Sequence, residues 1–163
     1  MNHHTIRPAQ VSDLPRLFDV WHAAVIATHD FLSPADIDFL SPFVRIELAR
    51  ATSVQSLHVL RDTDSNAYAF MCVEAHKIEM LFVRPDQRGN GAGCTLMAYA
   101  TDKLGATTVD VNEHNTQGHD FYRHRGFIEE SRSELDPFGK PFPILHLKLA
   151  KNGEKITKNH SNS

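Results

Sequence analysis

The chain has 163 residues, of which 41% are hydrophobic and 23% charged, a size and composition typical of one globular domain with a real core. Its net charge is −3 with the histidines neutral, which argues against an extended basic surface for nucleic acid. The two cysteines have no CxxC or metal-ligand spacing, no apolar run reaches transmembrane length, and no signal-peptide core is present. We therefore expect a reduced, cytoplasmic compartment, with no metal and no membrane partner.

The first half of the chain predicts one strand and three helices. Ser12 is the expected N-cap of the first helix, whose apolar residues recur at three- and four-residue intervals. Ser33-Pro34 and Ser41-Pro42 each fit an N-cap followed by proline at the first helical position, so two short helices are expected there. The predicted elements are a strand at 5–9 and helices at 13–27, 34–40 and 42–51.

The second half predicts six strands and two helices. A turn cluster at 62–66 joins the first two of these strands as a hairpin, and Gly105 and Gly126 each end a helix. The predicted strands are 56–61, 67–74, 77–83, 107–112, 127–135 and 144–150, and the helices are 94–104 and 115–125. This order predicts a single α/β (α+β) domain over 1–150, with a mixed, mostly antiparallel sheet and helices on both faces. The polar residues 151–163 are expected to be a disordered tail.

The stretch at 80–97 reads as a buried strand, a glycine loop and the start of a helix. Pro85 follows the apolar run at 80–83 and stops the strand, because proline donates no ladder hydrogen bond. Gly89, Gly91 and Gly93 lack Cβ atoms, so their backbone can approach a ligand closely and adopt positive φ. A helix that begins inside such a loop presents N–H groups and the positive end of its dipole. The sequence therefore predicts an anion site, most naturally for phosphate.

Two nucleotide-binding motifs fit this loop poorly. A P-loop would end in Gly-Lys-Ser/Thr, which this chain does not contain. A Rossmann fingerprint would follow the first strand of a βαβ unit, whereas here more than half of the chain comes first. A glycine-rich turn without any ligand is the remaining alternative.

An arginine precedes the glycines in the order Arg88-x-x-Gly91-x-Gly93, after a strand and a Val-x-Pro step. This order resembles the loop that holds the coenzyme A pyrophosphate in the GNAT N-acyltransferases. The resemblance implies acetyl-CoA as cosubstrate, with its pantetheine along free main-chain groups of the preceding strand. The cofactor-binding residues that it implies are Leu81, Phe82, Val83, Arg88, Gly89, Asn90, Gly91, Ala92, Gly93, Cys94 and Asn115.

A second stretch carries the same resemblance. GNAT enzymes typically show Asn-x-x-Ala-x-x-Phe-Tyr-x-x-x-Gly-Phe, which this chain matches at Asn115, Phe121, Tyr122, Gly126 and Phe127. The chain departs from the pattern at Gly118, where alanine is usual, and glycine costs a helix up to about 1 kcal/mol. Asn115 and Tyr122 are two helical turns apart, so they are expected to share one face. The alternative for Tyr122 is a core tyrosine with a satisfied hydroxyl.

Acyl transfer from a thioester to an amine requires a base for the amine and an acid for the departing thiolate. A tyrosine hydroxyl is protonated at neutral pH, so Tyr122 is the candidate general acid. Asp110 is the candidate base, on the face of its strand opposite Val109 and Val111. Some GNAT relatives that acetylate ribosomal-protein N-termini have an acidic base at the matching position. The alternatives are a surface or capping carboxylate at Asp110, Glu79 as the base, or water.

The acceptor side is suggested by resemblance alone. Residues 27–33, with Trp21 upstream and 136–143 downstream, look similar to the bacterial YjaB-type group of acetyltransferases, and the whole resemblance covers roughly 5–150. In that group the early helices and the last loop flank the acceptor channel. The substrate-binding residues implied are Trp21, His29, Asp30 and Phe31. The alternative is that Phe31 and Leu32 anchor the core and that His29 and Asp30 form a local cap.

These observations predict an N-acetyltransferase that moves the acetyl group of acetyl-CoA to a primary amine by direct attack, through a tetrahedral intermediate. The acceptor amine is expected on a small molecule, a protein lysine or a protein N-terminus, and the protein is expected to be a monomer or homodimer. The competing class is a coenzyme A sensor or interaction module without catalysis, which Gly118 and the open choice of base motivate. A dinucleotide-binding oxidoreductase is a third alternative.

Overall fold

The structure, a computed structural model, describes residues 5–151, so residues 152–163 of the predicted tail lie outside the described part. The strands are β1 (Ile6–Pro8), β2 (Leu57–Arg61), β3 (Ala67–Glu74), β4 (Lys77–Val83), β5 (Thr108–Asn112), β6 (Phe127–Ser133) and β7 (Ile144–Leu149). The helices are α1 (Leu14–Thr28), α2 (Pro34–Ser53), α3 (Ala92–Asp102) and α4 (Thr116–Arg123). These elements confirm the predicted fold class, a mixed and mostly antiparallel sheet with helices. Within the described residues, no helix is long and apolar enough to cross a bilayer.

The chain divides into two compact units, one that ends at Ala106 and one that begins at Thr107. The single domain expected over 1–150 stays a prediction. In the first unit, β1 to β4 pair antiparallel in chain order. Phe70 on β3 lies opposite Phe82 on β4, with their ring centroids 5.7 Å apart.

Helices cover both faces of the first unit's strands. On one face, α1 and α2 pack through Leu17 and Leu48 into a core that contains Val59 and Phe70. On the other face lies α3, where the ring of Tyr99 is 5.5 Å from that of His58. Successive side chains of a strand point to opposite faces, so His58 and Val59 serve these two layers separately. Burial on both faces accounts for the continuous run of buried residues at 67–72.

The two short helices predicted around residue 41 are wrong, because α2 is continuous from Pro34 to Ser53 with Pro42 inside it. Ser33 is the N-cap, and it forms a reciprocal capping box with Asp36. Ser41 caps nothing; its hydroxyl donates to the Ile37 carbonyl one turn back. An interior proline costs a helix about 3 kcal/mol. The core contacts of α2 on both sides of Pro42 offset that cost.

The predicted N-cap at Ser12 is also wrong. A short 3₁₀ turn at Val11–Asp13 comes before α1, and the Asp13 carboxylate accepts a hydrogen bond from the Gln10 N–H. The same carboxylate accepts two bonds, at 2.6 and 2.8 Å, from the Arg61 guanidinium at the end of β2. This guanidinium holds the pKa of Asp13 below its ordinary value. The start of α1 is therefore joined to β2 by a nearly buried ion pair.

In the second unit the strands pair antiparallel in the order β5, β7, β6. One face is apolar: Val109, Val111, Leu145 and Leu147 are buried, and α4 contacts β5 and β6. The opposite face carries polar side chains, including Asp110, as the alternation on β5 predicted. β6 ends at Ser133, two residues before the predicted end of that strand.

Candidate functional site

The glycine loop connects β4 to α3 as predicted. Leu81, Phe82 and Val83 are half-buried at the end of β4, and they pair with β3 along one edge. The register between these strands shifts at Cys72/Val73, opposite Glu79, which is exposed. Such irregularities re-aim side chains and often lie beside functional sites.

Two of the three predicted glycines have the backbone conformation that only glycine adopts readily. Gly89 has φ +86° and Gly91 has φ +80°, while Gly93 lies in the first turn of α3. A Cβ at either of the first two would meet nothing within 4 Å, so their conformation and not local crowding requires glycine. Gly91 is the N-cap of α3, whose first helical bond runs from the Thr95 N–H to the Gly91 carbonyl. The helix begins at Ala92, two residues earlier than predicted.

This geometry leaves a backbone cradle open to solvent. Residues 88–91 and Cys94 are exposed, Ala92 is buried under them, and the Asn90 amide donates to Gln87 across the loop. The N–H groups of a first helical turn precede the first intrahelical bond, and the helix dipole is positive there. With Arg88 at its entrance, the loop is suited to a diphosphate.

The candidate acceptor residues His29 and Asp30 line a cavity of about 340 Å³ between the end of α1 and the start of α2. Its apolar walls come from Ile26, Leu32, Pro34 and Ile37. The carboxylates of Asp30 and Asp38 are exposed at its edge. Apolar walls with an acidic edge suit an aliphatic chain that ends in a cation.

Burial gives the His29 imidazole a specific state. Desolvation lowers its pKa to about 4, so it is neutral at pH 7 and adds no positive charge to the cavity. Its Nδ1 lies 2.7 Å from the Thr28 hydroxyl, and the Phe31 ring is 5.2 Å from the imidazole. Phe31 therefore contacts a lining residue but is not itself part of the lining.

The structure does not bring Trp21 into this cavity. Its side chain is buried in the first unit's core, with its ring 5.5 Å from that of Phe18. His22, the next residue of α1, lines the cavity instead. The two residues point to different sides of α1, because consecutive positions of a helix are about 100° apart.

Tyr122 is a buried residue of α4, with its ring 5.9 Å from Phe127 in an edge-to-face contact. Desolvation raises the pKa of the hydroxyl above its ordinary value, so the group is protonated across the physiological range. Asn115 is the N-cap of α4, as predicted, and its Oδ1 accepts a bond of 3.0 Å from the Gly118 N–H. The side-chain oxygen of Asn115 is thus engaged in the cap, while its amide NH₂ is a separate hydrogen-bond donor.

Asp110 belongs to a hydrogen-bonded group that the sequence did not reveal. Its Oδ1 lies 2.7 Å from the Nδ1 of His146 on β7, and the Nε2 of His146 lies 2.7 Å from the Oγ of Ser133 on β6. We call Asp110, His146 and Ser133 the polar triad. The triad's members are 36 and 13 residues apart, so only the strand register brings them together.

A sequence model described as "Acetyltransferase (GNAT) domain" matches residues 54–129, which include the glycine loop and Tyr122. The chain is 37% identical over 142 residues to the peptidyl-lysine N-acetyltransferase YjaB of Salmonella typhimurium, covering 87% of this chain and 95% of the relative. It is 36% identical over 143 residues to the Escherichia coli protein of the same name, covering 88% and 95%.

Solved structures share this fold. The solution structure of apo-form YjaB from Escherichia coli superposes with a TM-score of 0.79 at 34% identity, covering 88% of this chain and 95% of that one. The PaiA N-acetyltransferase of Thermoplasma acidophilum, solved in complex with coenzyme A, gives 0.66 at 22% identity, covering 91% and 99%. The second likeness is one of fold alone.

Proposed function

Because the chain belongs to the GNAT family of acetyltransferases, we propose a specific reaction for it: transfer of the acetyl group from acetyl-CoA to the side-chain amine of a lysine in a protein or peptide. The family and its named relatives make the chain an enzyme that acetylates an amine. The proposal adds the donor, the acceptor and the residues that carry the reaction.

The observation that carries the proposal is the backbone of the glycine loop. Gly89 and Gly91 hold positive φ without any crowding that would demand it, and Gly91 starts α3. The conformation exposes main-chain donors at the positive end of a helix, beside Arg88. The pyrophosphate of coenzyme A would bind there, with the pantetheine along the Leu81–Val83 backbone of β4.

Tyr122 and Asp110 would share the proton transfers. A lysine ammonium, with an ordinary pKa near 10.4, must lose a proton before its nitrogen can attack the thioester carbonyl. Asp110, exposed on the polar face of β5, would accept that proton. When the C–S bond breaks, Tyr122 would protonate the thiolate from a hydroxyl that its buried position keeps protonated.

The acceptor assignment rests on the α1–α2 cavity and on the relatives. A lysine side chain has a four-carbon stem and a cationic end, which match apolar walls and the carboxylates of Asp30 and Asp38. The two relatives at 36–37% identity are named peptidyl-lysine acetyltransferases. A neutral His29 beside these carboxylates does not oppose the cation.

The test is an acceptor panel at fixed acetyl-CoA. Thiol release is followed with lysine peptides, N-terminally free peptides with arginine in place of lysine, polyamines and free amino acids, and products are located by mass spectrometry. We expect turnover on the lysine peptides, with acetylation at the ε-amine. Turnover on polyamines or N-termini alone would overturn the lysine assignment. Coenzyme A binding without turnover on any amine would favour the sensor instead.

A further inference from the structure

The polar triad forms one continuous line of hydrogen bonds across three neighbouring strands. Asp110 and His146 are directly opposed in the β5–β7 register, and Ser133 reaches His146 from β6. Both contacts are 2.7 Å, at the short end of the hydrogen-bond range. The other face of β5 and β7 is buried core, which holds the two backbones in place.

We propose that Asp110 and His146 act as one proton-accepting pair for the acceptor amine, with Ser133 holding the imidazole and relaying the proton to it. The inference rests on the proposed function, in which Asp110 is the base. A carboxylate is a weak base toward an ammonium, and an imidazole is the side chain that most often accepts protons in catalysis. The hydrogen bond between the two groups places that nitrogen base beside the carboxylate.

The hydrogen bonds assign the imidazole's neutral form. An ionised carboxylate only accepts, so Nδ1 carries the hydrogen toward Asp110, and Nε2 accepts from the Ser133 hydroxyl. When the pair takes up a proton, Nε2 becomes a donor. The Ser133 hydroxyl reverses its role by passing its hydrogen to Nε2 and taking up the incoming proton at its oxygen. The triad therefore satisfies both protonation states without moving a heavy atom.

The surroundings suit a base that must meet both substrate and solvent. The side chains of Asp110 and His146 are 34% and 33% exposed. Lys148 lies on the same face as His146, two positions further along β7 and opposite Thr108 on β5. Ser131 on β6 lies directly opposite His146. Asp110 is the charged group opposite the imidazole on β5. Glu129 and Glu130 precede Ser131 on β6, at a shift in its register.

The ammonium gives one proton to the Ser133 oxygen while that hydroxyl passes its own proton to Nε2, so the pair becomes carboxylate and imidazolium. The freed nitrogen lone pair then forms a C–N bond with the thioester carbonyl carbon, and the carbonyl π electrons move to the oxygen. On collapse the C–S bond breaks, and Tyr122 protonates the thiolate. The second nitrogen proton is lost to solvent, from which the tyrosine is reprotonated. The pair then releases its proton to solvent, so the products are an amide, coenzyme A and one proton.

The experiment measures kcat, both KM values and the pH dependence of kcat/KM for four variants. They are His146→Gln, His146→Asn, Asp110→Asn and the Asp110→Asn/His146→Gln double variant. We expect His146→Gln to lower kcat by about 10- to 100-fold with the KM for acetyl-CoA unchanged. The acidic limb of its profile should move to lower pH, because the carboxylate remains alone. The double variant should be no slower than the slower single variant, as groups that act as one unit are non-additive.

Two comparisons separate proton acceptance from positioning. In His146→Asn the side-chain amide can keep a hydrogen-bond donor near the Nδ1 position, but it cannot take up a proton. This variant should therefore have a kcat as low as that of His146→Gln. His124→Gln is the matched control, because His124 is exposed on the same unit and its Nδ1 bonds the Asp120 carbonyl of its own helix. Its activity should equal that of the unaltered enzyme.

Each outcome is decisive. If Asp110→Asn has a lowered kcat while His146→Gln keeps its kcat and pH profile, the pair is overturned and the proposed function stays intact. If the kcat losses of the two single variants multiply in the double variant, the pair would also be overturned. Recovery of kcat in His146→Asn would overturn it as well. Absence of turnover by the unaltered enzyme would instead refute the proposed function. If His146→Gln fails to fold, Ser133→Ala takes its place: a several-fold loss of kcat supports the triad, and unchanged activity contradicts it.

Discussion

The glycine loop at 88–93 and the polar triad are both polar sites, but different parts of the chain build them. The loop presents main-chain N–H groups, which Gly89 and Gly91 hold in place through their own positive φ. The triad presents side chains from three strands, separated by 13 and 36 residues. One site depends on local backbone freedom, and the other depends on strand register.

The difference has a practical consequence for mutagenesis. Changing one triad side chain leaves the backbone of the strands in place, so chemistry can be lost while the fold stays. Changing a loop glycine alters the backbone conformation on which the proposed diphosphate site depends. We therefore expect triad and α4 variants to affect kcat and loop variants to affect coenzyme A affinity, and the following predictions test this separation.

The largest effect is expected at Tyr122. Tyr122→Phe keeps the ring that packs on Phe127 and removes the proposed acid. The kcat should fall by about 10² to 10⁴-fold, with acetyl-CoA affinity and melting temperature nearly unchanged. Steady-state kinetics and calorimetry measure the two quantities. An unchanged kcat, under conditions where chemistry limits turnover, would remove the tyrosine from the mechanism.

The next effect is expected in the loop. Gly91→Glu places a side chain at φ +80° and an anion at the proposed diphosphate site, so the Kd for coenzyme A should rise by about 100-fold. Gly139→Glu is a matched control, because Gly139 has φ +79° and its Cβ would likewise meet nothing within 4 Å. Calorimetry should find normal affinity in the control. Equal affinity in both variants would rule out the loop as the diphosphate site.

Asp13 and Asp110 each contact a basic side chain, but we expect different roles for them. Asp13 is nearly buried against Arg61, and its pKa is lowered in the folded state. It therefore stabilises the fold above the ordinary carboxyl range, and this stability is lost as pH falls through the lowered pKa. Asp13→Asn should cost about 1–3 kcal/mol at pH 7 and less at pH ~3, which lies below the ordinary carboxyl range.

Urea unfolding at the two pH values measures this cost. Asp110→Asn is the comparison, because an exposed pair such as Asp110–His146 contributes only about 0–1 kcal/mol. Asp13→Asn should leave kcat unchanged, and Asp110→Asn should leave stability nearly unchanged. A reversal of these two patterns would contradict the assignment of a structural and a catalytic aspartate.

The smallest effect is expected at Gly118, whose φ is not positive. A Cβ there would lie 2.5 Å from the Asn115 Nδ2, so alanine must displace the cap of α4. Alanine gains up to about 1 kcal/mol of helix propensity, and the lost cap costs about the same. The stability of Gly118→Ala should thus stay within about 0.5 kcal/mol of the unaltered protein by thermal unfolding. A full gain would show that the cap adjusts freely.

Local signals in the sequence determined much of the fold. The bounds of β3 and β4 are as predicted, because alternating or continuous apolar runs ended by turn residues act within a few positions. The glycine loop and the Asn115 cap could also be predicted from the sequence, since each depends on the conformation of one or two residues. The family resemblance rested on these same local motifs, and the comparisons confirm it.

Tertiary structure alone decided the rest. Ser41-Pro42 carries the same local signal as Ser33-Pro34, yet core packing on both sides of it makes α2 continuous. Trp21 and His22 are neighbours in sequence, and only the packing of α1 sends one to the core and the other to the cavity. His146 meets Asp110 through a register that spans 36 residues. Burial and strand register depend on distant partners, so no window of the sequence contains them.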